Sequence, residues 1–159
     1  LPNELINSEA VSALLSAHGN ALLPMAYPEG CPPHPAYPSG HATASGACAT
    51  VLKAFSNESF VIPSPVRSND DGTALLPWTG ADLTLGNELD KLAANIGLGR
   101  DTAGVHWRSD IYQGLLLGEQ VALAMLADET RNYNEDFGGF ELTMFDGTPV
   151  LVADGEVYV

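Results

Sequence analysis

Six prolines fall between positions 24 and 38 (Pro24, Pro28, Pro32, Pro33, Pro35 and Pro38). Each one removes a backbone donor and fixes its own φ, so this stretch can be neither a helix nor a central strand. It reads as a stiff, extended loop that delivers the chain to one defined point. At that point Ser39 precedes Gly40, His41 and a run of small residues that widens into Val51, Leu52 and Phe55. The pattern predicts a helix over 40–55, packed closely against its neighbours, with Ser39 as N-cap.

The rest of the chain is organised around that helix. Upstream, Ser8 and Glu9 open a short amphipathic stretch with Val11, Leu14 and Leu15 that ends at His18-Gly19, where Gly19 can take the left-handed cap conformation. Residues 56–79 hold Pro63, Pro65, Pro77 and Asn69-Asp70-Asp71-Gly72 with little periodicity. A connection this long tends to be functional or to pack on another chain. Thr79 and Asp82 are expected to start a second long helix, carrying Leu83, Leu85, Leu89, Leu92 and Ile96 and ending near Gly97 to Gly99. A third begins around Thr102 to Ser109 and runs to about Thr130, with Gly114 and Gly118 one turn apart to admit a neighbour. Beyond it, Phe140–Phe145, Thr148–Val152 and Glu156–Val159 are separated by Asp146-Gly147 and Asp154-Gly155, which favour hairpins. The expected fold is mainly α: a helical bundle over about 1–131 with a small C-terminal β-hairpin or meander over about 140–159. Its 159 residues read as a single domain.

Composition narrows the function classes. With 45% hydrophobic residues the chain can bury a core and is no disordered tail. Twenty acids against six bases give a formal charge of −14, which repels polyphosphate and anionic headgroups, so nucleic acid is a poor partner. The longest clean apolar run, Val121–Ala127, falls far short of the ~20 residues that span a bilayer. A soluble protein is expected, with secretion or a periplasmic location left open. Leu1–Asn7 lacks the basic start and apolar stretch of a signal peptide, and the first residue is not Met, so an upstream part is expected. Cys31 and Cys48 can form one bridge or none, and the two-thiol reading is the simpler. Lys53 and Lys91, the two lysines, read as helix-surface residues.

Two clusters carry chemistry. The first is Tyr37-Pro38-Ser39-Gly40-His41, a rigid loop feeding a helix N-terminus, where unpaired N–H groups and the helix dipole favour an anion. The second is Arg100, His106 and Asp110. A guanidinium fork can hold two oxygens of a tetrahedral anion, an imidazole can ligate or attack, and a carboxylate four residues on can orient that imidazole. Each residue also has an ordinary reading: Ser39 as a cap, Arg100 as a helix C-terminal cation, Asp110 as a first-turn acid, His18 as a helix-end donor. The functional reading gains because both clusters suit one ligand, a tetrahedral or trigonal-bipyramidal oxyanion.

Pro38-Ser39-Gly40-His41 together with Arg100, His106 and Asp110 resembles the second and third signature motifs of the type 2 phosphatidic acid phosphatase and vanadium haloperoxidase superfamily. The wider stretches His34–Thr43 and Gly99–Asp110 are similar to the vanadium-dependent bromoperoxidases. The resemblance implies a helical bundle of the haloperoxidase and acid phosphatase type with vanadate as cofactor, for which phosphate can substitute. His106 would ligate vanadium, supported by Asp110. Ser39, the Gly40 N–H and Arg100 would hold equatorial oxygens, and His41 would act as acid and base toward hydrogen peroxide. His34 falls where bromoperoxidase-type members carry a histidine, favouring bromide. The implied reaction is oxidation of halide by hydrogen peroxide to a hypohalous species that halogenates an organic acceptor.

The family's first motif, a Lys and an Arg on an upstream helix, has no counterpart here, since no Lys or Arg lies between Leu1 and Pro38. The chain is therefore expected to be the C-terminal portion of a longer enzyme, weak in vanadate binding or inactive alone, and either a homo-oligomer or associated with the absent N-terminal part. Two rivals remain. One is a soluble acid phosphatase with His106 as nucleophile, and the other is an inactive assembly module.

Overall fold

The computed structural model describes residues 3–21 and 33–159. Five helices are present among them: α1 (Asn3–Ile6), α2 (Glu9–His18), α3 (Gly40–Ala54), α4 (Leu85–Thr102) and α5 (Arg108–Thr130). A two-stranded ribbon of β1 (Val66–Ser68) and β2 (Leu75–Pro77) lies between α3 and α4. A C-terminal meander of β3 (Phe140–Thr143), β4 (Pro149–Ala153) and β5 (Glu156–Tyr158) follows α5. The mainly helical bundle with a small C-terminal sheet is thus the fold the sequence predicts. The prolines from Pro24 to Pro32, and Cys31, lie outside the described residues; Cys48 is exposed on α3.

Local chemistry sets the helix ends. Ser8 Oγ accepts from the Val11 N–H, and Gly19, at φ 71°, donates to the Leu15 carbonyl, closing α2 where expected. Ser39 Oγ accepts from the Ala42 N–H at 3.4 Å and starts α3. The boundaries of α4 correct the sequence reading. Its N-cap is Thr84 rather than Thr79 or Asp82, because residues 83–85 are first used in an antiparallel pairing: Ile62 donates to Leu83, and Leu85 to Phe60. It also continues past Gly97 and Gly99 to Thr102, since Gly97 serves packing rather than termination.

Helix α3 lies against both α4 and α5, and glycines set the spacing. A methyl group at Gly46 would lie 2.5 Å from the Leu115 carbonyl oxygen, and one at Gly118 would collide with Thr43 O. The Ser45 hydroxyl bridges to the Ala93 carbonyl of α4 at 3.2 Å. The meander closes one end of the bundle. Alternate residues Phe140, Leu142, Val150 and Val152 turn inward onto Leu123, Leu126 and Ala127 of α5.

Lys53 corrects a second expectation, for it is not a surface residue. It falls on the same helical stripe as Ala42, Ser45, Ala49 and Thr50, all buried, and its side chain is 1% exposed. Its ammonium pairs with Asp90 Oδ1 at 2.8 Å, donates to the Thr143 carbonyl at 2.6 Å and stands over the Phe145 ring. Lys91 is exposed as expected.

Candidate functional site

The two motifs meet through the backbone. The N–H of Ser39, immediately before α3, donates to the carbonyl of Asp110, in the first turn of α5, at 3.0 Å. Gly114, one turn further along α5, lies under the same point: an added methyl would be 2.8 Å from Ser39 O and 2.9 Å from Ala42 Cβ. Helix α4 joins them at Gly97, where a methyl would be 2.5 Å from Ile111 and 3.6 Å from Ala42. Arg100 is three residues beyond Gly97, on the same face of α4, and its Nε is buried. Ser39, Arg100 and Asp110 are therefore brought to one end of the three-helix layer, as their separation by ~60 residues in sequence requires of a shared site.

His106 precedes α5, and its side chain is buried. Its Nδ1 is 3.5 Å from Asp110 Oδ2, longer than a hydrogen bond, and has no other partner among the described residues. Asp110 is itself fixed, because Oδ2 accepts from the Trp107 N–H at 2.9 Å in a capping arrangement. The Asp110 carboxylate thus lies on the Nδ1 side of the His106 ring, beyond hydrogen-bond distance. The buried Ser39 hydroxyl accepts from the Ala42 N–H, and its own proton has no acceptor among the described residues. Beside it, Gly40 has open space where a side chain would stand.

These observations fit an oxyanion centred on a metal. They offer an imidazole nitrogen, a hydroxyl proton without an acceptor among the described residues, the N–H groups at the start of a 15-residue helix and a guanidinium. His41 is exposed in the first turn of α3, and His34 is exposed upstream, with Nδ1 3.0 Å from the Pro35 carbonyl oxygen. Among the described residues no hydrogen bond or ion pair joins either histidine to His106. His18, at the end of α2 beside Gly19, keeps its ordinary reading as a helix-end residue.

Sequence reasoning missed a second polar cluster, around Lys53, at the opposite end of α3. Glu119 of α5 is fully buried and accepts from the Phe145 N–H at 2.6 Å, while Oε2 has no partner among the described residues. Burial pushes its carboxyl above the usual range; the Phe145 N–H and Lys53 oppose that rise, and Asp146 and Asp90 add to it. Glu58 accepts from both the N–H and the hydroxyl of Thr143. The helical spacing of Lys53 with Ala49 and Thr50 was the available signal. The larger cleft, about 1330 Å³, also lies at this end, between Phe55, Tyr133, Phe137 and the meander.

Residues 11–135 match the family described as the VCPO second helical-bundle domain. The chain is 46% identical over 132 residues to vanadium-dependent bromoperoxidases of Corallina pilulifera and Corallina officinalis, covering 82% of this chain and 22% of each relative. It is 45% identical over 138 residues to that of Ascophyllum nodosum, covering 84% and 25%. A solved homohexameric structure of the second vanadate-dependent bromoperoxidase from Ascophyllum nodosum is similar with a TM-score of 0.81 and 35% identity, covering 93% of this chain and 30% of that one. The chain therefore spans about a quarter of the length of the curated relatives it matches.

Proposed function

The chain belongs to the vanadium-dependent haloperoxidases, and from that premise we propose that it supplies half of a vanadate site for the oxidation of bromide by hydrogen peroxide. In this reading residues 1–159 act as one domain, with the Lys and Arg of the first motif contributed from elsewhere in a longer enzyme. The supporting observation is the Ser39 to Asp110 hydrogen bond, which couples the start of α3 to the acid that faces His106.

Bound vanadate would supply a Lewis-acidic centre that takes up hydrogen peroxide and makes it electrophilic toward bromide. The chain's own residues would do the rest. His106 would ligate through Nε2, and Asp110 would hold its Nδ1–H and so keep the tautomer. The Ser39 hydroxyl, the Gly40 N–H and Arg100 would hold anionic oxygens and draw off their charge. His41 would take up and return the proton of hydrogen peroxide at its ring nitrogen. His34 would favour bromide over chloride. The hypohalous product would halogenate an electron-rich organic acceptor, and the assembled enzyme would be a homo-oligomer, as the similar Ascophyllum nodosum protein is.

The test is peroxide-dependent bromination by the intact protein, with and without added orthovanadate. Activity should require vanadate and vanish in His106→Ala. Bromination that persists in that variant overturns the reading, and phosphate-ester hydrolysis without vanadate replaces it with a phosphatase. His41→Ala should lower kcat by about 10²- to 10⁴-fold, the usual span for losing a positioned acid-base group.

A further inference from the structure

Among the described residues, every hydrogen bond from the β3–β4 turn, residues 143–148, to the chain before β3 ends on an ionisable side chain. Lys53 of α3 donates to the Thr143 carbonyl, Glu58 accepts from the Thr143 N–H and hydroxyl, and Glu119 of α5 accepts from the Phe145 N–H. Apolar burial thins out at the same place. Phe140, Leu142, Val150 and Val152 belong to the core, whereas Thr143, Met144 and Phe145 are half-buried and Asp146 and Gly147 are exposed. The turn also walls a cleft of about 350 Å³ whose far side is the start of α4, from Thr84 to Asp90.

The charges behind the turn do not balance. Lys53 is the cation of the cluster and already pairs with Asp90 of α4 at 2.8 Å. Glu119 faces that pair together with Asp146 of the turn, and Glu58 shares Thr143 with Lys53. An ionised Glu119 therefore places an uncompensated charge on a side chain that is 0% exposed and whose Oε2 has no partner among the described residues. Water relieves such a charge only where a wall can move. Helices α3 and α5 are locked beside it, because at Gly118, the preceding residue, α5 runs against the Thr43 and Ala47 backbone with no room for a methyl group. The half-buried turn is the wall that can lift.

We propose that residues 143–148 form a proton-controlled latch, held on the bundle while the Glu119 carboxyl is neutral and opened to water when that carboxyl gives its proton to a solvent base. The core pairs Phe140, Leu142, Val150 and Val152 keep the base of the hairpin in place, so only the tip moves. Burial raises the hold of Glu119 on its proton; the Phe145 N–H and Lys53 oppose that rise, and Asp146 and Asp90 add to it. The closed latch accordingly binds more protons than the open one. Closure weakens as pH climbs above the ordinary carboxylate value and levels off once Glu119 is ionised in the closed state as well. Opening brings water to Oε2 and widens the adjoining cleft.

Residue-resolved hydrogen exchange of the intact protein between pH 5 and 8 tests the latch, with the intrinsic pH dependence of exchange divided out. Protection of the Phe145 and Thr143 amides should fall at least about tenfold across that range. Exchange at both should be insensitive to low urea, because lifting the tip exposes little surface, whereas Ala122 of α5, itself 0% exposed, should exchange only through openings that urea promotes. Glu119→Gln retains an acceptor for the Phe145 N–H and should abolish the fall with pH. A flat wild-type profile at Phe145 overturns the latch without recourse to the variant. Exchange at Phe145 that rises with urea as it does at Ala122 also overturns it, by showing that the opening is global, and so does a fall with pH that persists in Glu119→Gln.

Discussion

Glu119 is a carboxylic acid placed where its charge is disfavoured. Its carboxyl is fully buried, Oε2 lacks a partner among the described residues, and burial raises its affinity for a proton above that in the unfolded chain. In the interval between the ordinary carboxylate value and the raised one, the folded state binds more protons than the unfolded state, so stability falls as pH rises. Glu119→Gln keeps an acceptor for Phe145 and removes the ionisation. It should therefore flatten the decline above about pH 5 and raise Tm at neutral pH by a few degrees; a melt series showing an unchanged pH slope would contradict this. Lys53 gives the opposite case, because Lys53→Met leaves Asp90 without its cation and Thr143 O without its donor. The loss should be about 3 kcal/mol in urea unfolding, with Lys53→Met/Asp90→Leu recovering much of it. The burial of Lys53 was legible from its spacing with Ala49 and Thr50, but the partners Thr143 and Phe145 were not, since they are distant in the chain. Ser39 as N-cap was legible because its partner, the Ala42 N–H, is local.

Between elements, the contact of α3 with α5 decides both stability and the position of the candidate site. Gly114 and Gly118 lie one turn apart on α5 and face different parts of α3: Ser39 and Ala42 in the first case, Thr43 and Ala47 in the second. Alanine at either adds a methyl against backbone atoms that cannot swing away. The overpacking cost of about 1–3 kcal/mol outweighs the gain of about 1 kcal/mol in helix propensity. Both variants should unfold earlier, but only Gly114→Ala pushes directly on Ser39 O, so it should weaken vanadate binding more than Gly118→Ala does. Equal losses of affinity would detach the site from this contact. The glycine pair was readable as a close-approach signal. The start of α4 was not, because pairing of residues 83–85 with 60–62 overrides the helix-start signals at Thr79 and Asp82.

At the scale of the whole molecule, the proposed anion site would have to work inside a strongly negative chain. The formal charge of −14 opposes vanadate, and Arg100 is the one cation among the candidate ligands. The proposed Lys and Arg partners would each contribute a charged hydrogen bond of about 1.5–3 kcal/mol. Together that is a factor on the order of 10² to 10⁴ in affinity. On the proposed reading the 159-residue chain should therefore bind orthovanadate at least about a hundredfold more weakly than a protein that also carries the basic pair, as measured by vanadium NMR titration. Screening should partly close that gap, because salt weakens the repulsion from distant carboxylates more than it weakens contacts within a buried cradle. The affinity of the short chain should thus rise from low to moderate ionic strength. A 159-residue chain that binds as tightly as a protein carrying the proposed basic pair would mean that Ser39, Gly40, Arg100 and His106 suffice, and that the proposed pair serves the reaction rather than the retention of vanadate.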